Sequence, residues 1–170
     1  MTQPALTGLA PQAQPNARVL LLGSMPGAVS LAQQQYYAHP RNAFWPIMAQ
    51  LAGFSADLPY AERIRALNSA GVALWDVIAS CQRSGSLDSA IRHEQLNDFQ
   101  RFFASQPQLQ AIGFNGAKAW QSFKRQLLPL DILPPGVALL ILPSTSPAHA
   151  SISFQQKLAQ WQKISDFLSV

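Results

Sequence analysis

"VLLLGSMPG", residues 19–27, joins a short apolar run to a loop that contains glycine and proline. The run Val19–Leu22 shows no alternation of apolar and polar residues, which is typical of a strand buried in a parallel sheet. Gly23 and Gly27 allow the loop backbone to approach a ligand closely, and Pro26 stiffens the turn between them. The stretch predicts a buried strand that opens into a ligand-binding loop, with an ordinary structural turn as the alternative.

Three further apolar runs of strand length follow, and they are Val72–Leu74, Leu109–Phe114 and Val137–Leu142. Between the runs, apolar residues recur every three or four positions, as they do in amphipathic helices. These helical segments are Phe44–Leu51, Ala61–Leu67, Leu96–Phe103, Ala117–Leu127 and Phe154–Leu168. Ser153 before the last segment is a candidate cap, and Gln156, three residues on, would complete a capping box. Strands that alternate with helices predict an α/β fold, in which helices cover both faces of a parallel sheet.

Polar, glycine and proline residues follow each of the four runs. Residues 23–27 follow the first run, Trp75 and Asp76 the second, Asn115 the third and residues 143–149 the fourth. The carboxyl ends of parallel strands meet at one edge of a sheet, and ligands bind beyond that edge. Four separate segments therefore predict a single site there.

Length and composition favour one globular domain. The chain has 170 residues, of which 48% are apolar and 12% charged, and its net charge of +4 slightly favours a polyanionic partner. One cysteine, Cys81, excludes an intrachain disulfide and a site with several cysteine ligands. We expect residues 1–17, with three prolines, to form a flexible N-terminal arm, and residues 18–170 to form the domain.

The compartment follows from what the chain lacks. The apolar runs are too short to span a membrane, and no apolar segment precedes Arg18 as a secretory signal would require. We therefore expect a cytoplasmic protein with no membrane partner.

Four aromatic residues, Tyr36, Tyr37, Phe44 and Trp45, lie within ten positions. An aromatic ring stacks on a nucleobase with about 1–3 kcal/mol. Phe44 and Trp45 open a helix, where burial in the core is the ordinary role, and Phe44 is also a candidate to contact a base. Tyr36 and Tyr37 precede that helix in a loop, where a phenol needs a polar partner or a ligand. Either tyrosine is therefore a candidate to stack on a base.

Two asparagines and one aspartate are the candidate polar groups. Asn42 precedes an apolar helix, so that helix capping alone would account for it. Asn115 offers one acceptor and two donors, which match the edge of a base, and a turn residue is the alternative. Asp76 stands at the predicted edge of the sheet, where a carboxylate could orient a water molecule or cap a helix.

"LPSTSPAHA", residues 142–150, places three consecutive hydroxyl residues between two prolines. Hydroxyl groups and backbone N–H groups in a rigid loop suit the oxygens of phosphates. His149 could contact a phosphate as well. The alternative is a loop rich in serine and threonine with no such function.

These motifs resemble a known family. "LLGSMPG", "YYAHPRNAFW" and "LPSTSPAHA" are similar to the signature motifs of the uracil-DNA glycosylase superfamily, and most similar to its hypoxanthine-DNA glycosylase branch, whose members act on deoxyinosine. "LWDV" (residues 74–77) and "FNGAKAW" (residues 114–120) also resemble that branch. The resemblance implies a three-layer α/β/α fold with a central four-stranded parallel sheet. It also implies a monofunctional glycosylase that flips a deaminated base out of DNA, with no cofactor and no metal. A small repair enzyme of this kind is expected to be a monomer and to associate with the nucleoid when it acts on DNA.

The resemblance also implies roles for individual residues. Asn42 matches the asparagine of the branch's H-P-x-N segment, and we expect its amide to position the attacking water, with Asp76 as the reserve candidate. We expect the base to be held by Asn115, Tyr37 and Phe44, and by a pocket lined by Gly23, Ser24, Met25, Pro26 and Gly27. The expected contacts with the DNA backbone, or with the base stack, are Ser144, Thr145, Ser146, Pro147 and His149.

Two departures from the superfamily pattern bear on the substrate base. Met25 stands where many members carry Asp or Asn, and Leu142 stands where the classical uracil enzymes carry His. Both point away from vigorous uracil excision, but they leave open whether hypoxanthine, uracil or xanthine is the preferred base. The resemblance implies hypoxanthine, with a mismatch-type uracil-DNA glycosylase as the alternative.

Two readings outside the glycosylases remain. Ser24, Asp76 and His149 occur in the chain order of a serine hydrolase, although the G-x-S-x-G motif is missing. A DNA-binding module without catalysis is the second.

Overall fold

A computed structural model describes residues 4–169, which form two sheets flanked by helices. The strands are β1 (Leu6–Thr7), β2 (Val19–Gly23), β3 (Val72–Asp76), β4 (Ile78–Gln82), β5 (Arg92–Leu96), β6 (Ala111–Asn115) and β7 (Ala138–Leu142). The α-helices are α1 (Ala28–Gln33), α2 (Phe44–Ala52), α3 (Tyr60–Ser69), α4 (Phe99–Ala104), α5 (Ala117–Gln126) and α6 (Phe154–Trp161).

The four predicted apolar runs form one parallel sheet in the order β3-β2-β6-β7. Its register places Gly23 directly opposite Asp76 and Asn115 opposite Leu142. Since these pairs lie at the carboxyl ends of their strands, the residues that follow them gather at one edge. The prediction of a four-stranded parallel sheet is confirmed.

Helices cover both faces of this sheet, which explains why its central strands lack alternation. Val19 and Leu21 enter the core beneath α2, α3 and α6, whereas Leu20 and Leu22 enter the core beneath α4 and α5. Each fully buried leucine contributes about 1.5–3 kcal/mol. The three-layer α/β/α architecture is therefore confirmed.

Most helices begin within about one residue of their predicted start. The Ser153 side chain accepts a hydrogen bond from the Gln156 backbone, and the Gln156 side chain accepts one from the Ser153 backbone, as a capping box requires. The final helix is shorter than predicted, because α6 ends at Trp161 and the chain continues as a tighter 3₁₀ helix, Gln162–Phe167. That change of pitch still delivers Ile164 to the core.

The second sheet is antiparallel, in the order β1-β4-β5, and the sequence did not predict it. The sequence predicts a helix that begins at Leu96, but Leu96 ends β5, and α4 begins only at Phe99 with Asp98 as its cap. β5 is mostly polar and partly exposed, so it carries neither an apolar run nor a clear period of two.

The segment expected to be a loose N-terminal arm pairs with both sheets over part of its length. Leu6 and Thr7 pair with Cys81 and Ser80, and the Gly8 N–H donates to the Ala79 carbonyl at 2.8 Å. Gln12 then exchanges two backbone hydrogen bonds with Leu74. Backbone hydrogen bonds to strands of both sheets therefore hold part of this segment, which its composition did not indicate. Residues 1–3 lie outside the described residues.

Candidate active site

A cleft of about 860 Å³ opens at the carboxyl edge of the parallel sheet. It is lined by all but one of the residues proposed from the sequence: Gly23, Ser24, Met25, Pro26, Gly27, Tyr37, Asn42, Asp76, Asn115, Ser144, Thr145, Ser146, Pro147 and His149. The exception is Phe44. Residues far apart in sequence therefore converge because the strands that carry them are parallel and adjacent.

Gly23 lies at the floor of this cleft between two polar side chains. A Cβ atom at this position would lie 2.5 Å from Asp76 Oδ1 and 3.1 Å from the Tyr37 hydroxyl. Real Cβ atoms are essentially never found as close as the first of these distances. Glycine is therefore required here by the close approach of Asp76, which the strand register places opposite.

Asp76 is a buried carboxyl group at the cleft floor, only 4% exposed. Its Oδ2 has no hydrogen-bond partner within residues 4–169, and its Oδ1 faces Gly23. Burial raises the pKa of Asp76 to about 7, with a further increase from the charge of Asp88 and an opposing effect of Arg83. A buried polar group left without a partner marks a candidate functional group.

Tyr37 adopts an unusual backbone conformation, with φ of 55°. Its ring stacks on that of Phe44 at a centroid distance of 4.0 Å, and its buried hydroxyl lies near the Asn115 side chain but makes no hydrogen bond of good geometry within the described part of the chain. Burial raises the pKa of the Tyr37 phenol above its ordinary value, so the group is a neutral hydrogen-bond donor. Left-handed backbone at a non-glycine residue concentrates at ligand sites.

Phe44 does not line the cleft, so the expected contact with a base is corrected. It is fully buried behind the Tyr37 ring and packs edge-on against Trp45 and Trp161. The first turn of α2 faces the core, which is the alternative that the sequence left open. Tyr36 is also buried, and its hydroxyl donates to the Ala10 carbonyl at 2.7 Å.

Asn42 precedes Ala43, the N-cap of α2, and its side chain both binds the first N–H of the helix and lines the cleft. Its Oδ1 accepts a hydrogen bond of 2.9 Å from the Phe44 backbone N–H, which fixes the orientation of the amide. An amide oxygen has two lone pairs, so one acceptor site and the whole NH₂ group remain for a ligand. Capping thus accounts for part of this side chain.

Asn115 is bonded to Thr145 in both directions. Its Nδ2 donates to Thr145 Oγ1 at 2.9 Å, and its Oδ1 accepts from the Thr145 N–H at 2.9 Å. The Thr145 carbonyl in turn accepts from the Ala43 N–H at 2.9 Å. Thr145 is only 1% exposed, so its expected contact with DNA is corrected: the side chain ties neighbouring loops together.

The remaining residues of the 144–149 loop are braced by their own hydroxyl groups. Ser144 Oγ accepts from the Ser146 N–H, and Ser146 Oγ accepts from the Ala148 N–H. Lys157, which the sequence did not single out, donates to the Ser146 carbonyl at 3.3 Å from the buried side of the loop. Burial lowers the pKa of this lysine.

The sequence did not indicate that the turn at residues 83–89, between β4 and β5, forms another wall of the cleft. Three hydrogen bonds join this turn to the glycine loop (residues 23–27) and to Ala28, which follows that loop. Ser24 Oγ donates to Asp88 Oδ1 at 2.6 Å, the Ala28 N–H donates to Ser86 Oγ at 2.9 Å, and Arg83 Nη2 donates to the Pro26 carbonyl. The cluster "RSGSLDS" could have drawn attention to this turn, because glycine and serine are common in turns.

The hydrolase reading finds no support in this geometry. Ser24 donates its hydroxyl hydrogen to Asp88, and neither Asp76 nor His149 accepts it. A serine nucleophile requires a base within hydrogen-bond reach.

Within residues 4–169, no cluster of three or more His, Cys, Asp or Glu side chains is arranged to hold a metal ion. No helix in the same range is long and apolar enough to cross a membrane.

Known proteins are similar to this chain over most of its length. The family model described as "Uracil DNA glycosylase superfamily" matches residues 10–167. A protein from Methanosarcina acetivorans named hypoxanthine DNA glycosylase is 34% identical over 150 residues, which cover 88% of this chain and 90% of that one. A protein of the same name from Methanosarcina barkeri is 36% identical over 113 residues, covering 66% of this chain and 72% of that one.

A solved structure is also similar. It is the solution NMR structure of a candidate uracil DNA glycosylase from Methanosarcina acetivorans, with a TM-score of 0.81 and 31% sequence identity. The match covers 95% of this chain and 97% of the other.

Proposed function

The chain belongs to the uracil DNA glycosylase superfamily and is a DNA glycosylase, and from this premise we propose that it removes hypoxanthine from DNA by hydrolysing the N-glycosidic bond of deoxyinosine. The name shared by the two Methanosarcina relatives supports the choice of base. The observation that carries the mechanism is the convergence of Asn42, Asp76 and Asn115 on one cleft of about 860 Å³, which is large enough to admit a purine.

The reaction needs a place for a base that has left the helix. A purine inside a duplex is inaccessible, so the deoxyinosine rotates out of the stack and into the cleft. Tyr37 lines the cleft with Phe44 stacked behind it, which supplies a supported aromatic surface for the base. Asn115 has a second amide hydrogen and a second lone pair beyond its bonds to Thr145, and these are available to the edge of the base.

Hydrolysis then separates base and sugar. The bond between C1′ and N9 breaks, its electron pair leaves with the base, and the oxygen of a water molecule bonds to C1′. The sugar passes through a state with oxocarbenium character, as other glycosides do on hydrolysis. Backbone N–H groups and neutral donors near the cleft stabilise the negative charge on the departing base.

Two residues act on the attacking water, one by positioning it and the other by accepting its proton. Asn42 holds it through the free acceptor site of its amide oxygen, and Asp76 takes the proton released when the oxygen bonds to C1′. A carboxylate with a pKa of about 7 is matched to that task at neutral pH. The first loop supplies no acidic or basic side chain, since Met25 occupies the relevant position.

The loop at residues 144–149 is proposed to contact the DNA backbone through Ser144, Ser146, Pro147 and His149. The exposed edge of this loop adjoins the cleft, and its hydroxyl hydrogens remain available to phosphate oxygens. We propose that the protein acts as a monomer on chromosomal DNA in the cytoplasm, because one chain supplies every wall of the cleft described above.

A panel of labelled oligonucleotides tests this function. Each carries hypoxanthine, xanthine, uracil or a mispaired thymine, and is treated with alkali after incubation with the protein. We expect scission at hypoxanthine that depends on alkali, since a monofunctional enzyme leaves an abasic site intact. Tight binding without abasic product, even at enzyme excess, would instead identify a binding module.

A further inference from the structure

We propose that Asp88 and Arg83, two opposite charges on the turn between β4 and β5, are positioning residues that set the pH at which Asp76 accepts a proton, an inference that rests on the proposed function. Asp88 is exposed and lines the cleft, whereas Arg83 is buried and does not line it. Asp76 lies against the glycine loop, because the strand register places it opposite Gly23. The same loop is where the turn is attached.

Hydrogen bonds to the glycine loop hold both charges in place. Ser24 Oγ donates to Asp88 Oδ1 at 2.6 Å, and Arg83 Nη2 donates to the Pro26 carbonyl. A charge held by a hydrogen bond keeps a constant distance from its neighbours, so its electrostatic effect on a nearby group is also constant. Both bonds end on a loop whose first residue lies opposite Asp76 in the sheet.

The charges that act on Asp76 within the described residues come from this turn. Burial raises the pKa of Asp76 most, the charge of Asp88 raises it further, and the charge of Arg83 lowers it. The other titratable groups that face Asp76 are the phenols of Tyr36 and Tyr37. Burial raises the pKa of both phenols above the ordinary value, so they are neutral and add no charge of their own.

The proposed reaction gives this arrangement a purpose. Asp76 is proposed to take a proton from the attacking water, and a carboxylate accepts that proton more readily when its pKa lies close to the working pH. Asp88 has a disadvantage for binding, because a carboxylate in a cleft that receives DNA repels the phosphates. A group that opposes binding and strengthens the proton acceptor fits a role in the chemical step.

Asp88→Asn tests the proposal, because it removes the charge and keeps an oxygen that can accept the Ser24 hydroxyl. Single-turnover excision of hypoxanthine from a duplex is measured at enzyme excess across the pH range in which Asp76 titrates. We expect the midpoint of the rise in rate to move to lower pH by about half a unit or more. Asp131→Asn is the matched control, because Asp131 is exposed, lies away from the cleft and has a φ of 54°, which asparagine also tolerates. It should keep the parental midpoint.

Arg83→Gln removes the opposite charge and keeps an amide that can donate to the Pro26 carbonyl. We expect it to move the midpoint to higher pH, in the direction opposite to Asp88→Asn. Structural damage to the turn would lower the rate at every pH and would not give shifts of opposite sign.

Stability provides a second readout that does not depend on catalysis. The pKa of Asp76 is higher in the folded than in the unfolded protein, so the free energy of unfolding falls as pH rises toward the folded value. This fall should end at lower pH in Asp88→Asn and at higher pH in Arg83→Gln. Urea unfolding of both variants, the parent and Asp131→Asn across the same pH range measures it.

The two hypotheses fail differently. If Asp88→Asn keeps the parental midpoints, or if Asp131→Asn moves them equally, the turn does not act on Asp76, and the glycosylase activity of the parent is unaffected by that result. Absence of excision by the parent protein at every pH would reject the proposed function. The stability profiles would still decide whether Asp88 and Arg83 act on Asp76.

Discussion

Asn115 and Thr145 hold each other by two hydrogen bonds of 2.9 Å, one in each direction. Asn115 ends a central strand and Thr145 lies in the loop that follows the neighbouring edge strand. Both side chains are buried, so each bond replaces water that the groups would otherwise bind. The pair fixes the amide that faces the cleft and the loop expected to contact DNA, and it joins the two parts of the site.

Thr145→Val tests this coupling by replacing the hydroxyl group with a methyl group of similar size. Asn115 Nδ2 would lose its acceptor inside the protein, which costs about 1–3 kcal/mol. We expect the free energy of unfolding in urea to fall by that amount and the rate of hypoxanthine excision to fall with it. Thr145→Ser keeps the hydroxyl and should retain most of both properties. Valine and serine variants of equal stability and activity would show that the bond to Thr145 Oγ1 is unimportant.

Gly23→Ala should impair catalysis more than folding. The added Cβ would lie 2.5 Å from Asp76 Oδ1, so the carboxyl group must move out of the position it holds at the cleft floor. We expect single-turnover excision to slow by about tenfold or more, which corresponds to at least about 1.4 kcal/mol of lost transition-state stabilisation. Gly27→Ala is the matched control, because its nearest contact would be an ordinary 3.4 Å from Ser86 Oγ. If both variants keep the parental rate, Asp76 does not need its present position.

The convergence at the sheet edge was predictable because it depends on topology. Four apolar runs without alternation indicated a parallel sheet buried on both faces, and the residues after each run then had to share one edge. The prediction required no knowledge of side-chain contacts. It places Gly23, Asp76 and Asn115 at one edge from the order of strands and helices alone.

The features that the sequence did not predict lie in segments without a clear hydrophobic period, and tertiary contacts determine where these segments lie. β5 and the turn at residues 83–89 have no hydrophobic period, so nothing in the sequence places them against the glycine loop. Thr145 and Ser144 are adjacent hydroxyl residues at the cleft, yet Thr145 is buried whereas Ser144 is partly exposed. Which one turns inward is decided by the acceptor and donor of Asn115, thirty positions away.

Asn42 has two roles that substitutions can separate. Asn42→Ala removes the cap on the Phe44 N–H, at a cost of about 0.5–2 kcal/mol, and also removes the amide proposed to hold the water. We expect excision to be abolished while binding to a deoxyinosine duplex persists. Asn42→Asp keeps an acceptor for the Phe44 N–H, so its free energy of unfolding should stay near that of the parent. An alanine variant that excises at the parental rate, measured below its unfolding temperature, would limit Asn42 to capping.

The pH dependence of excision and stability should both report on Asp76. Its pKa of about 7 in the folded protein lies above the value near 4 of an unfolded aspartate. The folded state therefore binds the extra proton between these values, and the free energy of unfolding should decrease as pH rises from about 4 to about 7, by an amount on the order of a few kcal/mol. Excision should increase with pH, because the proposed proton acceptor is the carboxylate, which forms only as pH rises through about 7.

Asp76→Asn has no proton to release, so it should flatten this part of the stability profile and abolish most of the excision at every pH. Urea unfolding and single-turnover excision, each measured from pH 5 to pH 8.5 on both proteins, compare the two profiles directly. A parent protein whose excision rate is constant across this range, or an asparagine variant that keeps the parental pH profile, would remove Asp76 from the proton transfer and leave the water to Asn42 alone.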